Sequence, residues 1–280
     1  MNTFKKLLSV TLLISCVAGC SSTSVHHLGK PDMNQPLSED ETLITMKRVK
    51  YYTGGANNHT VVSNDTLIGE ISNGDALSWK VKSNEFQCIS TDWSNILKSL
   101  HEGFILDDTP LPFKCIYAEP MTKMELVLDG QYPDTRMVRS IAFTTIYKTS
   151  PTFKQSDKVS ISILNSVPME KRNDLNFESL LSEAFSEQFG DKESASSDKI
   201  VEMEILDYKS GNAAGRWVAQ SLEGSTYAKV KVIVKEGDKV VEQFITRPVI
   251  SSGGLYSVGG DEYIFEEVTE DVYLHLFGNE

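Results

Sequence analysis

A strictly alternating stretch near the carboxyl end most constrains the fold of this chain. From Thr226 to Val234 every second residue is Thr, Ala or Val, and three of the residues between them are polar or charged. The turn residues Glu236-Gly237-Asp238 and a second extended run, residues 240–247, follow. Apolar side chains at every second position place one face of a strand in a core. The stretch therefore predicts a β-hairpin in a sheet with one packed and one solvated face.

Two other segments have helical spacing. The first, residues 177–189, carries three phenylalanines on one face, with Asn176 placed to cap it and Gly190 to end it. The second, residues 261–277, has an apolar stripe and a set of acidic residues that we expect to face solvent. With the strands around them, these helices predict a mixed sheet covered by two helices. The acidic set is Glu262, Glu266, Glu267, Glu270 and Asp271.

Short extended runs separated by turn residues fill the first half of the chain. They predict a small β-sandwich or barrel, with one helix capped by Thr91 and packed through Trp93. The whole chain is thus expected to have an α+β fold. We expect a β-rich domain at residues 42–120 and an α/β-type domain at 121–280. The extended runs lie at residues 43–51, 60–63, 66–71, 77–82, 85–90 and 113–118.

The amino terminus has the order of an export signal. Lys5 and Lys6 precede an apolar run that is too short to span a bilayer, and small residues follow it. The stretch Val17-Ala18-Gly19-Cys20 resembles the lipobox of bacterial lipoproteins. This resemblance implies removal of residues 1–19, acylation of Cys20 and anchoring in the membrane, and Ser21 after the cysteine favours the outer membrane.

Residues 20–41 contain few large apolar side chains and predict a flexible tether between the membrane and a body in the periplasm.

Export leaves two cysteines in the mature body, Cys88 and Cys115. In an oxidising compartment they most simply form a disulfide, which would stabilise the fold by about 3 to 4 kcal/mol in the chain-entropy model. Two free thiols or a metal site are the alternatives. Two cysteines without a histidine cluster are too few ligands for zinc.

The net charge of −12 argues against a polyanionic partner. Such a surface repels phosphate backbones, so nucleic acid is not expected to bind. The composition, with 40% hydrophobic and 24% charged residues, is that of a globular protein.

Residues 177–276 resemble a domain of unknown function that is common in proteobacterial lipoproteins. The matching features are the aromatic helix, Ile205-Leu206-Asp207-Tyr208, the loop from Ser210 to Arg216, and Gly253-Gly254 before the last helix. That family is distantly similar to the periplasmic domain of curli-secretion channel lipoproteins. The resemblance implies an interaction or assembly module. Residues 43–81 are similar to a small β module of bacterial lipoproteins, also of unknown function.

The function expected from the sequence is therefore an interaction or assembly module of the cell envelope, binding an envelope protein or a second copy of itself, without catalysis or a cofactor. A glycan-binding or peptidoglycan-binding module is the alternative, with Arg216 and Trp217 as the proposed contact surface. A hydrolase with an unrecognised site is the second alternative, because distant residues can converge in space. The chain contains no Gly-x-Ser-x-Gly or His-Glu-x-x-His motif.

Overall fold

The computed structural model describes residues 24–50, 58–92, 111–131, 143–211, 225–250 and 260–279. Within these ranges, fourteen strands, two α-helices and two short 3-10 helices form a mixed α+β fold. The strands are β1 (Val25–His26), β2 (Glu41–Arg48), β3 (His59–Ser63), β4 (Thr66–Ile71), β5 (Ala76–Lys82), β6 (Glu85–Asp92), β7 (Phe113–Ala118), β8 (Lys123–Gln131), β9 (Phe143–Lys148), β10 (Ser160–Asn165), β11 (Lys199–Lys209), β12 (Thr226–Glu236), β13 (Lys239–Arg247) and β14 (Val249–Ile250), and the helices are α1 (Phe177–Phe189) and α2 (Gly260–Phe277).

The strands form two sheets. The larger sheet has the order β1-β4-β3-β6-β7-β13-β12-β11-β10, with β14 paired to β12, and the smaller has the order β5-β2-β8-β9. Pairing is antiparallel except between β10 and β11 and between β2 and β8. Both sheets pair strands from the two sides of residue 120, through β7 with β13 and β2 with β8. The boundary between domains 42–120 and 121–280 stays a prediction.

One core lies between the carboxyl-terminal part of the larger sheet and the two helices. The apolar face of β12 packs there against aromatic rings, including stacked Phe185 and Phe189, whose centroids are 3.8 Å apart. A second core fills the space between the smaller sheet and strands β3, β4, β6 and β7. This face-to-face packing is a β-sandwich, one of the two architectures that the sequence predicted. The helix predicted after Thr91 has most of its length outside the described residues.

The helices form where caps and apolar spacing predict them. Asn176 accepts a hydrogen bond from the backbone N–H of Ser179 at 3.1 Å, which satisfies one free donor of α1. Gly190 ends this helix with a φ of +49°, a conformation that a residue with a Cβ rarely adopts. The predicted hairpin is also confirmed as β12 and β13, with Gly237 in its turn.

Two local expectations differ from the structure. Thr91 and Asp92 were expected to start a helix, but they are the last residues of β6, because Thr91 pairs with Val61 and Asp92 pairs with Thr60. Val25–His26 falls in the range expected to be a flexible tether, but pairs with β4. The first described residues are thus part of the larger sheet.

Candidate functional site

Three of the residues singled out from the sequence lie outside the described residues: Cys20, Arg216 and Trp217. The two ends of segment 212–224 are described. Ser210 Oγ donates to the carboxylate of Asp261 at 2.6 Å, and Thr226 Oγ1 donates to the same carboxylate at 2.9 Å. Asp261 lies in the first turn of α2, where a carboxylate is favoured by the helix dipole. The residues that flank this segment, Ser210 and Thr226, therefore lie beside the start of α2.

Cys88 and Cys115 form the predicted disulfide. They are directly opposite each other on β6 and β7, with their Cα atoms 3.8 Å apart. Their sulfurs lie in a small apolar cluster with Phe86, Phe113 and Ile245. The bond thus fastens two adjacent strands in the middle of the larger sheet.

A group of ionisable side chains lies between the larger sheet and α2. Lys114 of β7 is buried, and its Nζ donates to the carboxylate of Asp271 at 3.0 Å. Thr246 Oγ1 donates to the same carboxylate, and the Lys114 ammonium lies 5.0 Å from the centre of the Phe244 ring. A buried charge needs such partners, because an unpaired one costs several kcal/mol.

The second half of this group surrounds Glu242 of β13. Lys148, at the end of β9, places its Nζ 2.6 Å from Glu242 Oε1, and His275 of α2 places its Nε2 3.0 Å from the same oxygen. Thr152 donates to the other carboxylate oxygen. The buried ionic network, as we call Lys114, Lys148, Glu242, Asp271 and His275, therefore connects strands of both sheets to α2.

The electrostatics of this network fix the protonation of two of its members, His275 and Glu242. Burial, with the nearby charge of Lys114, lowers the pKa of His275 to about 4. Burial alone would raise the pKa of Glu242, but the hydrogen bond from His275 and the charge of Lys148 outweigh it and hold that pKa at about 2. At neutral pH His275 is thus a neutral ring that donates through Nε2 to a carboxylate.

The charged groups of the network are paired with one another across different strands and α2, so the network stabilises the packing of these elements. Lys114 and Asp271 satisfy each other, and Lys148 and His275 share Glu242. We assign it a structural role in holding α2 against β7, β9 and β13. Two residues of the acidic set correct one sequence expectation. Asp271 and Glu267 were placed on a solvated face, but the Asp271 side chain is only 14% exposed and Glu267 is only 9% exposed.

Arg247 is a second buried cation that the sequence did not reveal. Its guanidinium donates to the backbone oxygen of Leu111 at 2.9 Å and lies 4.0 Å from the centre of the Phe113 ring. Tyr227 approaches it as a second ring, at 5.2 Å. Arg247 therefore joins β13 to β7 and to the backbone just before β7.

The outer side of β10, the last strand of the larger sheet, pairs with no other strand in the described part of the chain. In a strand, one residue's N–H and C=O point to the same side and successive residues point to opposite sides. Ser166 N donates to Ile205 O of β11, so even-numbered residues here face β11. Val159, an odd-numbered residue, pairs on the other side with Lys192 and Ser194. The backbone groups of Ile161 and Ile163 therefore point outward, and no described residue pairs with them.

The composition of β10 suits the addition of another strand. It contains no charged residue and no proline, whereas β5, an edge strand of the smaller sheet, carries two lysines. Edge lysines and prolines normally protect a sheet from pairing with another chain. Leu164 of β10 is 60% exposed, and Met169, in the turn that follows, is 81% exposed. We call the strand together with these two side chains the β10 edge.

The chain has only a distant similarity to known proteins. No family model matches the chain, and no curated protein matches it. Among solved structures, it is similar to the PelC dodecamer from Paraburkholderia phytofirmans, with a TM-score of 0.28 and 14% identity over 44% of this chain and 91% of that one. A single-substitution variant of the same dodecamer gives a TM-score of 0.29 and 15% identity, over 44% of this chain and 90% of that one.

In the described ranges, neither α1 nor α2 combines the length and the hydropathy that crossing a bilayer requires. The same ranges contain no group of three or more His, Cys, Asp or Glu side chains arranged to hold a metal ion.

Proposed function

We propose that this chain is an outer-membrane lipoprotein, anchored through acyl chains on Cys20, whose body in the periplasm acts as an interaction module. Its partner is a protein of the cell envelope, which adds an extended segment to the β10 edge. The role is assembly and not catalysis. The single observation that carries the proposal is the pair of outward-facing backbone groups on Ile161 and Ile163.

Strand addition fits the chemistry of this edge. The N–H and C=O groups of Ile161 and Ile163 offer two donors and two acceptors in a row, which an extended peptide can satisfy by its own backbone. The side chains of both isoleucines pack against the core beneath the helices. A partner segment with an apolar residue at every second position would continue that core past β10.

The exposed side chains of the edge supply the means of selecting a partner. Leu164 and Met169 are two of the most exposed large apolar residues among those described. Backbone pairing alone does not distinguish sequences, so side-chain contacts must select the partner. A segment that places apolar side chains over Leu164 and Met169 would bury both.

The buried ionic network supports the same role. It fixes α2 against strands of both sheets through Lys114, Lys148 and Glu242. A sheet that is already rigid loses little conformational entropy when a partner binds at its edge, which reduces the free-energy cost of binding. The network thus favours a preformed docking edge.

A charge placed on the edge tests the proposal. Ser162 is exposed on β10, so Ser162→Lys leaves the core intact but places an ammonium where a partner strand would lie. Ser186→Lys, at an exposed position of α1, is the matched control. We expect Ser162→Lys to remove the partner that co-purifies with the protein from membranes, and Ser186→Lys to retain it. Equal recovery with both variants would argue against the β10 edge as the docking site.

A further inference from the structure

The path of the chain from Cys20 to the larger sheet limits how far the body can lie from the membrane. β1 begins at Val25, and the preceding Ser24 already contacts the body, because its Oγ accepts a hydrogen bond from Ser72 N at 2.9 Å. Four residue steps separate Cys20 from Ser24, which span at most about 14 Å when fully extended. An anchor on Cys20 therefore holds the β1 edge close to the lipid headgroups.

The docking of β1 is specific. Its two residues pair with Glu70 and Gly69 of β4, and His27 N and Leu28 N both donate to Ile68 O, at 3.1 and 3.2 Å. Gly69 is needed for this approach, because a Cβ there would lie 2.4 Å from the backbone oxygen of Val25. The short distance to the anchor is thus built into the sheet.

The surface next to this docked strand is apolar. Val25 is 43% exposed, Leu28 is 41% exposed and Met33 is 50% exposed. These three side chains, the N-terminal patch, are among only eight large hydrophobic residues that are exposed in the described part of the chain. Lys30 and Asp32, both exposed, lie between Leu28 and Met33 in sequence. Apolar side chains beside charged ones are suited to the boundary between lipid headgroups and acyl chains.

We propose that the N-terminal patch lies against the lipid surface, so that the β1 edge faces the membrane and the β10 edge points away from it. This inference rests on the proposed acylation of Cys20. β1 and β10 are at opposite ends of the larger sheet, separated by eight strand spacings. At roughly 4.8 Å a spacing, the β10 edge lies about 38 Å along the sheet from β1. The partner would then be bound in the periplasm, away from the bilayer.

Fluorescence quenching by lipids tests this orientation. The full-length protein is purified from membranes and placed in vesicles of phosphatidylethanolamine and phosphatidylglycerol that contain a lipid with a nitroxide on its headgroup. A single thiol-reactive fluorophore is attached in Leu28→Cys or, as the matched control, in Ser162→Cys. Both positions are exposed, and Cys88 and Cys115 are held in their disulfide. Intact mass establishes whether Cys20 carries lipid.

We expect emission from the Leu28→Cys label to fall by about twofold or more in these vesicles, and emission from the Ser162→Cys label to stay unchanged. A lipidated protein with equal quenching at the two positions, or with none at Leu28→Cys, would overturn the orientation alone. An intact mass without lipid would overturn the proposed anchor, and the orientation with it.

Discussion

Glu242 Oε1 and His275 Nε2 lie 3.0 Å apart in the interior of the protein, where the His275 side chain is completely buried. A carboxylate can only accept a hydrogen bond, so Nε2 carries the proton. The other ring nitrogen, Nδ1, has no hydrogen-bond partner among the described residues, which suits a nitrogen without a proton. The neutral ring is therefore the form that the fold stabilises.

The stability of the protein should fall as the medium becomes mildly acidic. The pKa of His275 is about 4 in the folded protein and 6.5 in the unfolded chain, so protons bind the unfolded chain more tightly. Between pH 6.5 and pH 4 this favours unfolding, and at pH 5 it costs about 2 kcal/mol relative to pH 7.5. Glu242, with a pKa of about 2, adds a further loss only below its ordinary value of 4.5. Urea unfolding at pH 7.5 and pH 5 measures the difference.

The variant His275→Gln isolates the contribution of this ring. It keeps a donor toward Glu242 and removes the titration, so its free energy of unfolding should change less between pH 7.5 and pH 5 than that of the parent protein. A parent and a variant with the same pH dependence would contradict the assignment of a neutral, buried His275.

Removing the buried ammonium of Lys114 should destabilise the fold strongly. Lys114→Met removes the cation paired with Asp271 and leaves that carboxylate with the hydrogen bond from the Thr246 hydroxyl, and breaking one side of a buried pair costs about 3 to 5 kcal/mol. The control is Lys47→Met, which breaks an ion pair with Glu125 of the same kind on the surface, where both side chains are about half exposed.

Chemical unfolding of both variants measures the contrast. The surface change should cost less than about 1 kcal/mol. Asp271→Asn added to Lys114→Met should recover part of the loss, since no unpaired charge then remains. Equal costs for the Lys114 and Lys47 variants would refute the buried pair.

Displacing β1 should expose the amino-terminal segment. Gly69→Val places a Cβ against the backbone oxygen of Val25, so β1 should separate from β4 and chymotrypsin should cut after Leu28 several-fold faster. Gly29→Ala is the matched control, because a Cβ at Gly29 meets no atom within 4 Å. Cleavage at the same rate in both variants would show that β1 does not depend on the close approach at Gly69.

The sequence predicted those elements whose signals are local. The hairpin β12–β13 follows from alternation and its glycine turn, and α1 follows from Asn176, Gly190 and the spacing of its phenylalanines. The disulfide between Cys88 and Cys115 follows from cysteine count once export is assumed. Each of these is encoded within a short stretch or by a single pair of residues.

The candidate site depends on residues that are distant in sequence. Residues 159–163 show clean alternation, but whether that strand lies at an edge depends on β11, almost 40 residues later. Lys114 and Asp271 are 157 residues apart, and neither has a local signal that names the other. Asp271 and His275 are four residues apart on α2 and so lie on the same side of the helix. Their position beside the apolar stripe of Val268 and Val272 is the one sequence feature that indicates burial.

The most direct test of the central claim is photocrosslinking in living cells. A photoreactive amino acid is placed at Ser162 on the β10 edge or, as a control, at Glu187 on the exposed side of α1, and the products are purified and identified by mass spectrometry. We predict that position 162 crosslinks to one envelope protein, through an extended segment with alternating apolar residues, and that position 187 does not. Products that are the same from both positions, or absent from position 162, would contradict the proposal that this protein acts by strand addition at the β10 edge.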